Sequence, residues 1–335
     1  MHLLSDTGER VLVIGANGAL GSLTARAFER AGWEVLRGSR TPGGHGDWRQ
    51  IDLDLPETVT SALEGVDVVI DTVPHMGLVA EQLVIERGGL VLNSAAPPVA
   101  SRRKLRALGC TAAGTVVLEA GIAPGLTNLI LAELLAAHPD ADEIELVFTL
   151  SAGATGGLAR AEWLHRHLTA VFRHETAAVP LPAPFGARRC LGFAEPERGW
   201  VGDLAGPRAV RSYVCFREME VHDALLAGNE RGVLAELPLD AFAVDPSASR
   251  PSVEEVAHWV CVRRGKARLA ARTIRCAGGY RNAAHATVAL AQALQDARAR
   301  APLARGLFGP QRLVEIAKLE RYLAHVGIRV VAESV

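Results

Sequence analysis

Two hydrophobic patterns divide the chain near residue 140. Before that point, short apolar runs alternate with stretches of helical spacing. Residues 10–14 (Arg-Val-Leu-Val-Ile) and 66–71 (Val-Asp-Val-Val-Ile-Asp) are branched and almost wholly apolar, as strands buried on both faces of a parallel sheet are. Between the first run and Trp33–Arg37, Leu20, Leu23, Ala27 and Phe28 share one helical face. Further strands are expected at 51–54, 90–93 and 115–119, with helices at 56–64, 77–87, 100–108 and 126–138. After 140 the period changes. Ile144, Leu146, Phe148 and Leu150 alternate with Glu143, Glu145 and Thr149, the mark of a strand with one wet face. A flexible loop at 151–157 opens a helix over 158–176, the proline-rich 179–187 reads as an irregular crossing, and 237–252 reads as a loop. Strands at 255–263 and 266–276 flank Arg264-Gly265 as a hairpin. A helix spans about 282–298, and 311–332 is expected to return to the first half.

The first strand, glycine turn and helix carry the main chemical signal. Gly15, Gly18 and Gly21 lie between strand and helix in the spacing G-x-x-G-x-x-G. Gly15 allows the tight turn, Gly18 lets a diphosphate approach the backbone, and Gly21 lets the helix pack close. With Asn17, Ala19 and Leu20 they form a candidate pyrophosphate cradle at a helix N-terminus; the competing reading is a packing turn. The second strand ends in Arg37-Gly38-Ser39-Arg40, with no acidic residue for a ribose 2′-hydroxyl. Two guanidiniums and a hydroxyl suit a 2′-phosphate, so the expected cofactor is NADP(H) rather than NAD(H), unless both arginines are solvated loop charges. Asp52 is placed near an adenine or at a solvated strand end. The loop Thr72-Val73-Pro74-His75 leaves a strand that borders a cofactor crevice, and Asn93–Pro98 faces the same crevice. Gly121 and Pro124 belong to a second turn of small residues opening a helix.

The chain has 335 residues, 49% hydrophobic and 22% charged, with net charge −1. That is about two domains' worth, and it suggests neither a nucleic-acid polyanion nor a membrane surface as partner. No apolar run reaches the ~18 residues of a membrane span, and the start lacks a basic, apolar leader, so a cytoplasmic location is expected. The five cysteines are scattered without zinc or redox spacing, which reads as reduced, mostly buried thiols.

The turn GANGALG, the strand DVVID leading to Pro74, and above all GIAPGLTN resemble the saccharopine dehydrogenase (glutamate-forming) family, which includes carboxynorspermidine dehydrogenase and homospermidine synthase. The likeness is good over 10–130 and loose over 140–290; Asn93 stands where the family often carries Asp. It implies an α/β fold: a Rossmann-type doubly wound parallel sheet with a second α+β domain on an open, mostly antiparallel sheet. The expected domains are an NADP-binding one at 1–125, a substrate-binding and dimerisation one at 126–300, and a C-terminal segment at 301–335 returning to the first. It also implies a homodimer and reduction of an imine, formed from an amine and a carbonyl compound, to a secondary amine.

Hydride transfer needs positioning and a proton source. His75 is the first candidate, from its place beside the expected nicotinamide; Glu119, at a strand end, is the second. His165, His167 and His174 lack a metal-site pattern and read mostly as surface or interdomain residues. Arg160, Arg208, Arg211 and Tyr280 are candidates for a substrate carboxylate. A small-molecule substrate is expected. Two alternatives stay open: a C=C or C=O reductase on the same fold, and a non-catalytic NADP(H) sensor.

Overall fold

A computed structural model describes residues 9–44, 46–95, 97, 99–108, 112–150, 157–169, 171–183, 185–193, 201–237, 255–277 and 279–333. Cys110, most of the loop at 151–157 and the loop at 237–252 fall almost wholly outside them. The chain forms two compact units, residues 1–126 with 283–322, and residues 127–282 with 323–335.

The first unit is built on seven strands: β1 (Arg10–Ile14), β2 (Glu34–Ser39), β3 (Asp47–Gln50), β4 (Val68–Asp71), β5 (Leu90–Asn93), β6 (Thr115–Leu118) and β13 (Gly306–Phe308). Their order is β13-β6-β5-β4-β1-β2-β3 and every pairing is parallel. β4, β5 and β6 are buried at every position, which explains their unbroken apolar composition. The strand order reverses beside β1, so the carboxyl ends of β1 and β4 flank a topological switch point. The helices that follow are α1 (Ala19–Arg30), α2 (Pro56–Ala62), α3 (Val79–Arg87) and α4 (Val99–Leu108). Leu12, Ile14, Val69, Val84, Val91, Leu105 and Val116 belong to one core cluster.

The second unit carries β7 (Glu143–Leu150), β8 (Thr176–Pro180), β9 (Ala187–Gly192), β10 (Ala209–Phe216), β11 (Glu255–Arg264), β12 (Ala267–Ala277) and β14 (Arg329–Glu333), in the order β14-β12-β11-β7-β10-β9-β8. Only β7 with β10 is parallel; the other neighbours are antiparallel. The helices α5 (Leu126–Ala137), α6 (Gly157–Leu168), α7 (Met219–Arg231), α8 (Tyr280–Arg298) and α9 (Ile316–His325) complete the chain. This is the expected α/β architecture with a mostly antiparallel second sheet.

Several boundaries differ from the sequence reading. β3 ends at Gln50 rather than running through 51–54, because the Leu55 amide turns back to the Asp52 carbonyl at 2.9 Å and Thr58 Oγ1 donates to the same carbonyl at 3.0 Å. α6 stops at Leu168, short of 176, where the His174 ring donates from Nε2 to the Leu168 carbonyl at 2.8 Å and caps an orphan acceptor. The proline-rich crossing is the connection of the β8–β9 hairpin. The C-terminal segment divides. Residues to 322 cluster with the first unit, whereas β14 pairs with β12, Val330 opposite Ile274, and extends the second sheet. From Ala283 onward α8 belongs to the first unit, where Thr287 donates to the Ala120 carbonyl at 2.5 Å and Gln295 reaches Glu9.

Candidate functional site

At the end of β1 the backbone makes a left-handed turn at Gly15, with φ +83°, a conformation that favours glycine. The amides of Gly15 and Ala16 both donate to the Gly38 carbonyl, at 2.9 and 3.1 Å, tying the turn to β2. The Gly18 amide closes it onto the Gly15 carbonyl at 2.8 Å. A Cβ on Gly21 would stand 2.1 Å from that same carbonyl oxygen, so α1 sits where only glycine fits. A Cβ on Gly18 would meet only the Gly15 oxygen, at 3.1 Å; the rest of its surroundings are open. Gly18 is the N-cap of α1 and offers no side-chain hydrogen bond to the helix. The first amides of α1, including those of Ala19 and Leu20, therefore face outward with the positive end of the helix dipole.

The end of β2 is fastened to this turn. Asn17 Nδ2 donates to Ser39 Oγ at 2.9 Å and to the Thr41 carbonyl at 2.6 Å. Arg40 is exposed, and among the described residues no ion pair engages it. Arg37 is different from both readings offered by the sequence. Its guanidinium is largely buried and ion-paired with Glu29 of α1, so it braces β2 against the helix. Asp52 closes a local turn, its Oδ1 accepting from the Asp54 amide at 3.1 Å.

β4 ends against the glycine turn. Thr72 Oγ1 donates to the Ile14 carbonyl at 2.7 Å. Val73 Cγ2 and Thr72 Oγ1 would lie 2.6 and 2.7 Å from a Cβ on Gly15. Beyond Pro74, His75 Nδ1 accepts from the Gly77 amide at 3.1 Å, which assigns the proton to Nε2; Nε2 stands 3.1 Å from Asp54 Oδ1. Both ring nitrogens are engaged.

Beneath this loop lies a polar cluster that the sequence reading missed. Asp71, Glu81 and Asn93 are fully buried. Asn93 Nδ2 donates to Glu81 Oε1 at 2.6 Å and lies 3.4 Å from Asp71 Oδ2, and the Val73 amide donates to Asp71 Oδ1 at 2.8 Å. Burial, and then the charge of Glu81, hold the Asp71 carboxyl well above the ordinary range; burial also raises Glu81. Glu81 Oε2 has no other donor, so one proton carried by Asp71 and donated to Glu81 satisfies both groups. The neutral amide of Asn93 suits this pair, whereas a third carboxylate would not. No sequence signal marks Glu81, an ordinary acidic residue in a helix.

The turn after β6 is equally constrained. Glu119 is not a solvated strand end: it is buried at a left-handed φ of +65° and ion-paired with Arg102 of α4. Arg102 Nε also donates to the Pro97 carbonyl at 2.9 Å. Gly121 accepts from the Leu126 amide at 3.0 Å, and a Cβ on Gly125 would stand 2.1 Å from the Gly121 oxygen. Pro124, between them, follows a cis peptide bond.

The remaining candidates are tied up within the second unit. His165 Nε2 reaches the Leu237 carbonyl at 3.0 Å, and His167 packs on Phe193 at 5.7 Å. Arg208 Nε donates to the Ala141 carbonyl at 2.9 Å, and Arg211 pairs with Glu143 at 3.2 Å. Tyr280 is half-buried at the start of α8. The Arg160 side chain is outside the described residues. Among the described residues no group of three or more His, Cys, Asp or Glu side chains is placed to hold a metal ion, and no helix is long and apolar enough to cross a membrane.

No protein-family model and no curated protein matches the chain. Solved structures do. Apo saccharopine dehydrogenase (L-Glu forming) from Saccharomyces cerevisiae aligns with a TM-score of 0.60 and 12% identity, covering 98% of this chain and 100% of that one. The WlbA (WbpB) dehydrogenase from Thermus thermophilus, in complex with NAD and UDP-GlcNAcA, aligns with a TM-score of 0.45 and 10% identity over 94% of this chain and 92% of that one. The chain thus has the saccharopine dehydrogenase fold over almost its whole length.

Proposed function

We propose that the protein is an NADP(H)-dependent oxidoreductase of the saccharopine dehydrogenase type, reducing an imine formed from an amine and a carbonyl compound to a secondary amine. The observation that carries this reading is the turn at Gly15–Gly21, which presents the uncapped amides of α1 at the switch point of a parallel sheet. The whole-length likeness in fold supports it.

In this reading the amides of Ala19 and Leu20 bind the pyrophosphate, and Gly18, without a side chain, lets it approach. Ser39 and Arg40 take the 2′-phosphate, Asn17 holds Ser39 toward it, and Arg37 acts only as a brace. Asp52 lies beside the adenine. Thr72, Val73 and Pro74 border the nicotinamide ribose, with Gly121 and Pro124 lining the crevice. When bound, the nicotinamide supplies or accepts the hydride. The protein positions the reacting carbon and manages the proton. His75 supplies that proton only from its doubly protonated ring, once a second proton has displaced the Gly77 amide from Nδ1, or water supplies it directly. Glu119, held by Arg102, positions the turn that contains Gly121. The substrate is a small molecule, the second unit binds it and pairs with a second copy of the chain, and the protein works in the cytoplasm.

The test is to follow NADPH consumption with panels of amines combined with oxo acids or aldehydes. Turnover with at least one pair is expected, and His75→Ala should lower it far more than NADPH affinity. A chain that binds NADPH but consumes none with any pair is a sensor, and the catalytic reading fails.

A further inference from the structure

Cys190 and Cys215 are far apart in sequence, yet the second sheet sets them face to face. β9 and β10 run antiparallel with Tyr213 opposite Gly192 and Val214 opposite Leu191, so the next pair in that register is Cys215 with Cys190. The Phe193 amide donates to the Ser212 carbonyl at 2.7 Å, which makes Phe193 and Ser212 a hydrogen-bonded pair of the ladder. Bonded and non-bonded pairs alternate along an antiparallel ladder. The ladder ends at 191/214: the next backbone groups turn to His222, whose Nε2 stands 2.9 Å from the Arg189 carbonyl and whose Nδ1 accepts from the Phe216 amide at 3.4 Å, so the cysteines are the first residues beyond the last pair. The two side chains are fully buried in one cluster with Val179, Leu181 and Phe185, and the Cys190 thiol donates to the Arg188 carbonyl at 3.7 Å. Cys261 shares the cluster but stands on β11, with β7 between it and β10.

We propose that Cys190 and Cys215 form a reversible dithiol–disulfide pair that staples β9 to β10, oxidised by low-molecular-weight disulfides. One cysteine thiolate attacks a sulfur of the small disulfide, forming a mixed disulfide and releasing one small thiol. The second cysteine attacks the protein sulfur of that mixed bond and displaces the other small thiol. The two thiol hydrogens of the protein end on the two released thiols, and two electrons pass from the protein to the small disulfide. β8 and β9 form one edge of the sheet, so the reagent enters through transient opening of that edge. In the closed edge the Cys190 thiol stays protonated and unreactive.

The test is to treat the folded, full-length protein with oxidised glutathione, alkylate the remaining thiols, digest, and map the products by mass spectrometry. Cys190 and Cys215 are expected to leave the alkylatable pool together and to appear as one cross-linked peptide pair. Dithiothreitol should return both, and the circular-dichroism spectrum should be unchanged throughout. Cys190→Ser and Cys215→Ser should each abolish the cross-link, and Cys261→Ser should leave it intact. The mapping on the wild-type chain decides the matter even if a variant fails to fold. The proposal is overturned if the bond forms only in urea-unfolded protein. It is equally overturned if Cys261 or Cys276 cross-links as readily, or if both thiols stay alkylatable after the β9 and β10 amides have exchanged with deuterium.

Discussion

The two seven-stranded sheets handle charge differently. In the first unit, ionisable side chains gather at the carboxyl ends of β4, β5 and β6 and are buried there in pairs, Asp71 with Glu81 and Glu119 with Arg102. The second unit also carries pairs in water, such as Arg264–Asp140, whose side chains are 62% and 50% exposed. Burying a charge is costly unless it is paired and hydrogen-bonded, whereas an exposed pair is worth little.

That contrast can be broken or sharpened by substitution. The largest effect is expected for Arg102→Met, which removes the buried ion pair with Glu119 and should cost about 3–5 kcal/mol in urea unfolding; a loss below about 1 kcal/mol would contradict the importance of that pair. Gly21→Ala comes next. Its new Cβ meets backbone rather than a movable side chain, so about 2–3 kcal/mol of lost stability is expected, together with weakened nucleotide binding.

The third test uses pH. A carboxyl whose folded pKa is raised binds more protons folded than unfolded. The pair's contribution to stability is therefore fully present below the ordinary carboxylate range and is lost as pH rises through its titration. Glu81→Gln keeps the shape and removes one acid, so the decline should be shallower than in the parent. An unchanged slope would mean that the pair does not hold a proton. The smallest effect belongs to Arg264→Ala in the second unit, expected within about 0.5 kcal/mol of wild type.

The elements of the first unit were legible because its signals are local. An apolar strand, a glycine turn and an amphipathic helix follow one another within about thirty residues, and each glycine's role is steric. In the second sheet β7 and the β11–β12 hairpin were legible, but β8, β9, β10 and β14 were not. Nothing near Arg329 announces that β14 will join β12, and nothing in their spacing pairs Cys190 with Cys215. The side-chain partners were hidden for a related reason. Arg37 lies at the expected place, but its partner Glu29 is more than two helix turns beyond the glycines and invisible to a strand-end rule. Asp71 was visible as a strand residue, whereas Glu81 meets it only after α3 folds back.

The most direct measurement is calorimetric titration of the protein with NADPH and with NADH, repeated on Arg40→Ala and Arg37→Ala. The account predicts tighter binding of NADPH. Arg40→Ala should cut that preference about tenfold or more, as the loss of a charge-assisted phosphate contact does, and Arg37→Ala should change it little. Binding of neither nucleotide would reduce the turn at Gly15–Gly21 to a packing device and contradict the account.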